Sequence, residues 1–294
     1  MAPLAPVVRR RETTASRHPH WTRRLLQRRP AAIAALVLVV IGAAALAAPV
    51  ISPYDPLLMH PPDRFSGPSS TYWLGTDESG RDLFTRILYA TRVSVLVGLG
   101  AVLMSFAAGT PLGLLAGYRG GRTESLIMGA MDVLLAIPGL LLALTLVATL
   151  GPSTVNATIA IGVMGVPTVA RLTRAVVLVE RGRDYVMAGR AIGATGVRIA
   201  VLAILPNCLP PLIVQGSLTT ASAILIEAAL SYLGLGVQPP WSSLGSQLYT
   251  AYGYIYQSDW YVVFPGLTIF LIVWSLNLLG DGLRDVLDPR LRGI

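Results

Sequence analysis

Six stretches of this chain are too apolar and too long to sit comfortably in water: roughly residues 31–51, 93–116, 125–150, 155–172, 211–236 and 260–280. A helix needs about 20 apolar residues to cross a bilayer core of about 30 Å. Inside lipid every backbone polar group must be satisfied within the chain, so a long apolar run folds as a helix. The fourth run sits at the lower length limit and the others clear it. The first is longer than the roughly 7–15-residue core of a secretory signal. Pro49-Val50-Ile51-Ser52-Pro53 follows it in place of a small-residue cleavage site, so it reads as a retained span. The expected fold is an all-α membrane protein with six transmembrane helices.

Composition agrees with that reading and removes several functions. Only 13% of the 294 residues are charged, against about 25% in soluble domains, and mean hydropathy is +0.63. All 23 basic residues are arginine. Without lysine there is no phosphate-binding loop of the Walker type and no Schiff-base chemistry. The single cysteine, Cys208, excludes an internal disulfide and reads as a small packing residue. His18, His20 and His60 all lie outside the apolar runs. No Ser-His dyad can therefore form in the membrane, and no cluster has metal-ligand spacing. An intramembrane hydrolase is excluded, and the chain is expected to be non-enzymatic with no metal or cofactor of its own.

Arginine placement gives the orientation. Eight arginines precede residue 30, Arg119 and Arg122 fall between runs two and three, and six lie within 171–210. Arg284, Arg290 and Arg292 close the chain, while 151–154 and 237–259 carry none. Six spans with both ends in the cytoplasm put the basic segments on one side. The location expected is the cell membrane, multi-pass. A basic pI then needs no nucleic acid; the arginines of the first 28 residues can rest on anionic lipid. The organisation expected is a disordered basic tail over 1–28, then the first span with a proline-rich external linker over 29–91. A five-span domain follows over 92–281, and a cytoplasmic tail over 282–294. No internal repeat is visible, which argues against inverted-repeat carriers.

The segment DYVMAGRAIGATGVRIAVLAILPN, 184–207, is too short and too arginine-rich to span. Tyr185, Ala188 and Ile192 recur at helical spacing, with Arg183 and Arg190 off that stripe. Gly193 and Gly196 can stop a helix or admit another backbone. The pattern predicts a short helix, a glycine turn and a second helix over Val197–Leu205 that ends at Pro206-Asn207. Two readings stand: a helix lying on lipid head groups, or a docking element for a cytoplasmic protein.

Four motifs carry a resemblance. Met187-Ala188-Gly189, three residues, Gly193, nine residues and Ala203-Ile204-Leu205-Pro206 resemble the "EAA" loop of ABC importer permeases. Met187 stands where that loop has glutamate, Gly189 replaces its second alanine and Ala203 its isoleucine. Leu74-Gly75-Thr76-Asp77-Glu78-Ser79-Gly80-Arg81-Asp82, with Arg86 and Arg92-Val93-Ser94, resembles the signature of dipeptide and oligopeptide importer permeases. Glu227 through Pro240 resembles their "EAxLSFLGLGxxPP", and Asn277 through Arg290 their C-terminal "NxxGDxLRDxLDPR". The LDPR ending and short first linker favour the second permease subunit, the DppC/OppC type.

The resemblance implies a type I ABC importer permease fold with a cytoplasmic coupling helix, in a loop of about 175–208. It implies a homologous permease subunit (DppB/OppB type), two ATP-binding subunits that hold ATP and magnesium, and an external substrate-binding protein. The coupling residues it implies are Asp184, Tyr185, Met187, Ala188, Gly189, Arg190, Ile192, Gly193, Leu205 and Pro206. With Met187 in the glutamate's place, docking is expected to rest on shape and on neighbouring arginines. Glu227, Asp132 and Ser231 are the candidates for the translocation path. An acid in a span costs about 2.5–3.5 kcal/mol, so each must face a cavity or a partner. The bland alternative for the acids is a hydrogen bond at a packing site. Asp77, Arg81 and Asp82 are expected to form local pairs and caps outside the membrane. Trp241, Tyr249, Tyr252, Tyr254, Tyr256 and Trp260 fit an interfacial aromatic belt. The competing function is an ATPase-independent carrier or channel.

Overall fold

Asp82 opens the longest helix of the chain: its carboxylate accepts the backbone N–H of Thr85 at 2.8 Å, and 37 residues follow without a break. The computed structural model describes Leu25 and residues 27–287, and every regular element among them is helical. We label the principal helices α1 (Arg29–Leu46), α2 (Leu83–Arg119), α3 (Gly121–Ala136), α4 (Gly139–Leu150), α5 (Thr154–Glu180), α6 (Asp184–Ala191), α7 (Leu205–Tyr232), α8 (Leu244–Tyr252) and α9 (Asp259–Leu287). Among the described residues, five stretches are long and apolar enough to span a membrane: α1, α2, α5, Gly196–Tyr232 and α9.

The sixth expected span, 125–150, is broken. α3 and α4 meet at 88°. Ile137 is extended (φ −89°, ψ 128°) because the ring of Pro138 crowds the helical conformation of the residue before it. Pro111 and Pro265, by contrast, are carried inside α2 and α9. The fourth run was expected to stop near Arg171, but α5 continues to Glu180. Arg171 and Arg174 prolong the helix because each finds an acid on α3, Asp132 and Glu124 respectively.

The piece beginning at Gly196 also differs from expectation. It does not end at Pro206-Asn207. A widened π turn over Ile199–Ile204 leads straight into α7. That turn gives the Pro206 ring room, and the Asn207 amide donates to the Ala203 carbonyl at 2.9 Å, so the helix continues.

Packing is organised on α2 and α5. Gly109, Gly113 and Gly117 form a stripe at four-residue spacing along α2. A Cβ on Gly113 would lie 2.3 Å from the Ala170 carbonyl oxygen, so only glycine lets these backbones approach so closely. Gly98 and Gly100 similarly admit Ile224 of α7 and Thr158 of α5. α9 packs on α7 and α1, and α8 lies across α2, α7 and α9. Outward-facing Leu36, Val39, Leu103, Leu126, Leu202 and Phe270 stay exposed, the apolar coat of helices meant for lipid.

α2 is about 55 Å long at 1.5 Å per residue, so its two ends define two ends of the molecule. One carries α6, against Tyr118. The other carries the 74–82 loop and α8. α9 runs to Leu287, so the tail expected from 282 begins as helix, and residues 288–294 lie outside the described residues. So does the expected disordered tail up to residue 24.

Candidate functional site

The α6 end is built as a rigid shelf. Where α5 stops, Arg181 donates to the Gly117 and Tyr118 carbonyls at 3.1 and 3.2 Å, pinning this turn to the end of α2. Asp184 in the first turn and Arg190 in the last suit the helix dipole of α6. The helix ends in a Schellman cap: Gly193 N–H reaches the Arg190 carbonyl and Ala194 N–H the Gly189 carbonyl, each at 3.0 Å. This geometry needs the left-handed conformation of Gly193, φ +80°.

Val186 is the anchor. It is fully buried among Val177, Ile199, Ile204 and Cys208. Arg190 lies over the Tyr118 ring, 5.8 Å from its centroid. Tyr185 donates to the Glu180 carboxylate at 2.7 Å and accepts from Asn207 at 3.2 Å. Burial and that carboxylate push the Tyr185 hydroxyl up to about 12. The opposite face is open: Ile192 is 85% and Met187 54% exposed, and Ala188 is exposed too. Ile192 is thus the apolar tip of a shelf held from behind. Leu205 and Pro206 lie one helical piece away at the start of α7.

The three path candidates separate. Glu227 is 1% exposed and Ser231 equally enclosed. Ser94 of α2 and Ser231 donate to the two Glu227 carboxylate oxygens at 2.8 and 2.7 Å. The same hydroxyls accept the N–H groups of Leu244 and Val237, both at 3.3 Å. Glu227 and Ser231 therefore sit in a hydrogen-bonded packing network joining α2, α7 and α8, the alternative that the sequence left open for the acid. Asp132 stands apart on α3, paired with Arg171 beside an open groove.

At the other end the 74–82 signature forms a clasp. One Asp77 oxygen accepts the N–H groups of Ser79 and Arg81, at 2.8 and 2.9 Å. The other takes the Arg81 and Arg86 guanidiniums, at 2.7 and 2.8 Å. Tyr261 of α9 donates to Glu78 at 2.6 Å, and Gln247 of α8 to the Arg86 carbonyl at 2.9 Å. Burial disfavours the Glu78 carboxylate, but the Tyr261 hydroxyl and the Arg81 and Arg86 charges outweigh it and hold the group below its usual value. Asp82 is shifted up by burial despite its capping bond. The local pairs and cap read from the sequence are present. Trp241, Tyr249, Tyr252, Tyr256 and Trp260 are exposed, and Tyr254 packs on Phe65.

Sequence reasoning missed Val186, Tyr118, Arg181 and the Glu124–Arg174 pair. Only the last had a signal, since Arg174 lies one turn from Arg171.

The described residues form a multi-span helical bundle that presents a short, firmly held helix at one end. Residues 109–293 match the family model "Binding-protein-dependent transport system inner membrane component", and 20–68 match "N-terminal TM domain of oligopeptide transport permease C". The chain belongs to this family of ABC importer permease subunits. It is 49% identical to the di/tripeptide transport system permease protein DppC of Pseudomonas aeruginosa, covering 87% of each chain. It is 47% identical to the dipeptide permease DppC of Escherichia coli K12 (90% and 91% covered) and 40% to the glutathione permease GsiD of Pectobacterium atrosepticum (99% and 97%). The fold resembles the inward-facing MetNI methionine ABC transporter, with TM-score 0.58 at 21% identity over 68% of this chain and 96% of that one.

Proposed function

We propose that this chain is half of the passage of an ATP-driven importer for dipeptides and short oligopeptides. It pairs with a homologous permease subunit, two ATPases bind beneath it, and an external binding protein delivers cargo. Its termini face the cytoplasm, as the arginine asymmetry requires. The chain contributes a moving passage; ATP and magnesium are handled by the ATPases.

One observation carries this: α6 is fixed from behind by Val186, Tyr118 and Arg181 while Met187 and Ile192 stand free. A helix lying on lipid head groups needs no such rigid backing. A helix that receives a push does, because force applied to Ile192 must reach α2, α5 and α7 without loss. ATPase closure would thereby shift the bundle between two states. Because Met187 brings no carboxylate, the docking is apolar and shape-driven.

The experiment is co-purification in mild detergent with the subunits expressed together. Wild type should retain two P-loop ATPases and a second permease. Ile192→Asp should assemble its spans normally yet lose ATPase retention about tenfold or more, as expected for a charge placed in a desolvated contact. ATPases held equally by both forms would sink the docking role. A homo-oligomer that moves cargo without an ATPase would replace it with a carrier.

A further inference from the structure

Two ion pairs join α3 and α5. Glu124 accepts the Arg174 Nε–H at 2.6 Å, and two turns farther from the α6 end Asp132 pairs with Arg171. Asp132 lies about seven residues inside the apolar run that opens at 125, about 10 Å along the α3 axis. The Asp132 and Arg171 side chains are nevertheless 60% and 50% exposed. Charges at such depth face a water-filled cavity or a partner, never hydrocarbon.

The groove between the helices has a volume of about 550 Å³ and is bordered by both pairs, Ser125 and Gly129. A Cβ on Gly129 would meet nothing within 4 Å, so its floor is open. Just beyond Asp132 the span breaks at Ile137-Pro138. Irregular backbone at membrane depth survives only where it borders protein or water. The row of charge therefore leads from the α6 end to the break.

We propose that this α3–α5 ladder is the wetted wall of the passage. Asp132 and Arg171 form its innermost contact for a zwitterionic cargo, the carboxylate receiving an ammonium and the guanidinium a carboxylate. The cargo class rests on the peptide-import reading. Arg171 has five N–H donors and shares one hydrogen bond with Asp132. The remaining donors are free to meet water or the carboxylate of a ligand. Two acids alternating with two arginines carry no net charge, which suits a molecule with one charge of each sign.

The test uses the complete complex in vesicles. Cys208 is buried and is the only cysteine, so Gly129→Cys adds one accessible thiol without touching either pair. A small charged, membrane-impermeant thiol reagent should label Gly129→Cys in the assembled complex. Labelling of the isolated chain but not of the complex would make this face a permease–permease interface and overturn the proposal. The cargo contact is read as a preference ratio. Asp132→Asn should narrow the preference for a free dipeptide over its N-acetyl form about tenfold, and Arg171→Gln the preference over the C-terminal amide, the size of one lost charged hydrogen bond. Unchanged ratios in a labelled passage would remove the cargo contact. Absence of dipeptide uptake by wild type would instead sink the import reading, and the labelling result would still report on water.

Discussion

Glu227 ties α2, α7 and α8 through two hydroxyls, each of which also satisfies a backbone N–H. Removing it leaves both hydroxyls short of an acceptor in a buried site. Glu227→Ala should therefore destabilise the fold by about 1–3 kcal/mol, the usual penalty for unsatisfied buried polar groups. Glu227→Gln keeps an acceptor and adds donors the serine oxygens can take, so it should stay within about 1 kcal/mol of wild type. The midpoint of thermal unfolding in detergent measures both, and an unchanged Glu227→Ala would show that the network is dispensable. That an acid inside an apolar run must be partnered was legible in the sequence. Its partner was not, because Ser94 is 133 residues away and nothing local marks it. The 74–82 signature behaves alike: the Asp77–Arg81 pair and the Asp82 cap are local and readable, while Tyr261 reaches Glu78 from 183 residues on.

At the scale of elements, hydrophobic period and length sufficed for four of the six spans, because a long apolar run in lipid has no alternative to a helix. The remaining two depended on partners or on proline. Run four looked short because Arg171 and Arg174 interrupt it, and only the acids on α3 show why the helix continues. Run three looked whole because apolarity does not register the bend that Pro138 imposes. α8 was invisible in a linker, although Ser243 and Ser246, three positions apart, form a reciprocal cap whose spacing could have suggested it. The glycine stripe on α2 is legible as spacing alone: Gly109, Gly113 and Gly117 recur every four residues, and only the structure sets Gly117 against Val177 and Arg174. This row sets the spacing of α2 and α5. Gly113→Val would drive a branched side chain into the Ala170 carbonyl and Thr173 and force the helices apart. Since backbone cannot give way as a side-chain tip can, we expect loss of the folded chain, seen as rapid trypsin cleavage of membranes where wild type resists. Gly129→Val, in open space, should leave resistance unchanged and serves as the control.

For the whole molecule, the two ends of α2 have different duties. The α6 end presents an exposed apolar tip, whereas the clasp end closes on itself: Asp77, Arg86, Glu78, Gln247 and Tyr261 join the loop before α2 to α8 and α9. A bundle that moves at one end needs such a fixed point at the other. Acid should loosen it in a definite direction. Glu78 titrates below its ordinary 4.5 in the folded state, so its contribution is present above 4.5 and lost as pH falls through the lowered value. Asp82 has the opposite sign: shifted above its ordinary 3.8, it favours the fold most below that value and least once pH rises through its raised one. The wild-type acid profile therefore mixes the two, and Glu78→Gln isolates the first. Between about pH 6 and pH 3 the unfolding midpoint of wild type should fall further than that of Glu78→Gln, with the two curves converging in acid. Parallel curves would mean that the Glu78 charge contributes nothing to the clasp, and that Asp77 with its two arginines holds this end alone.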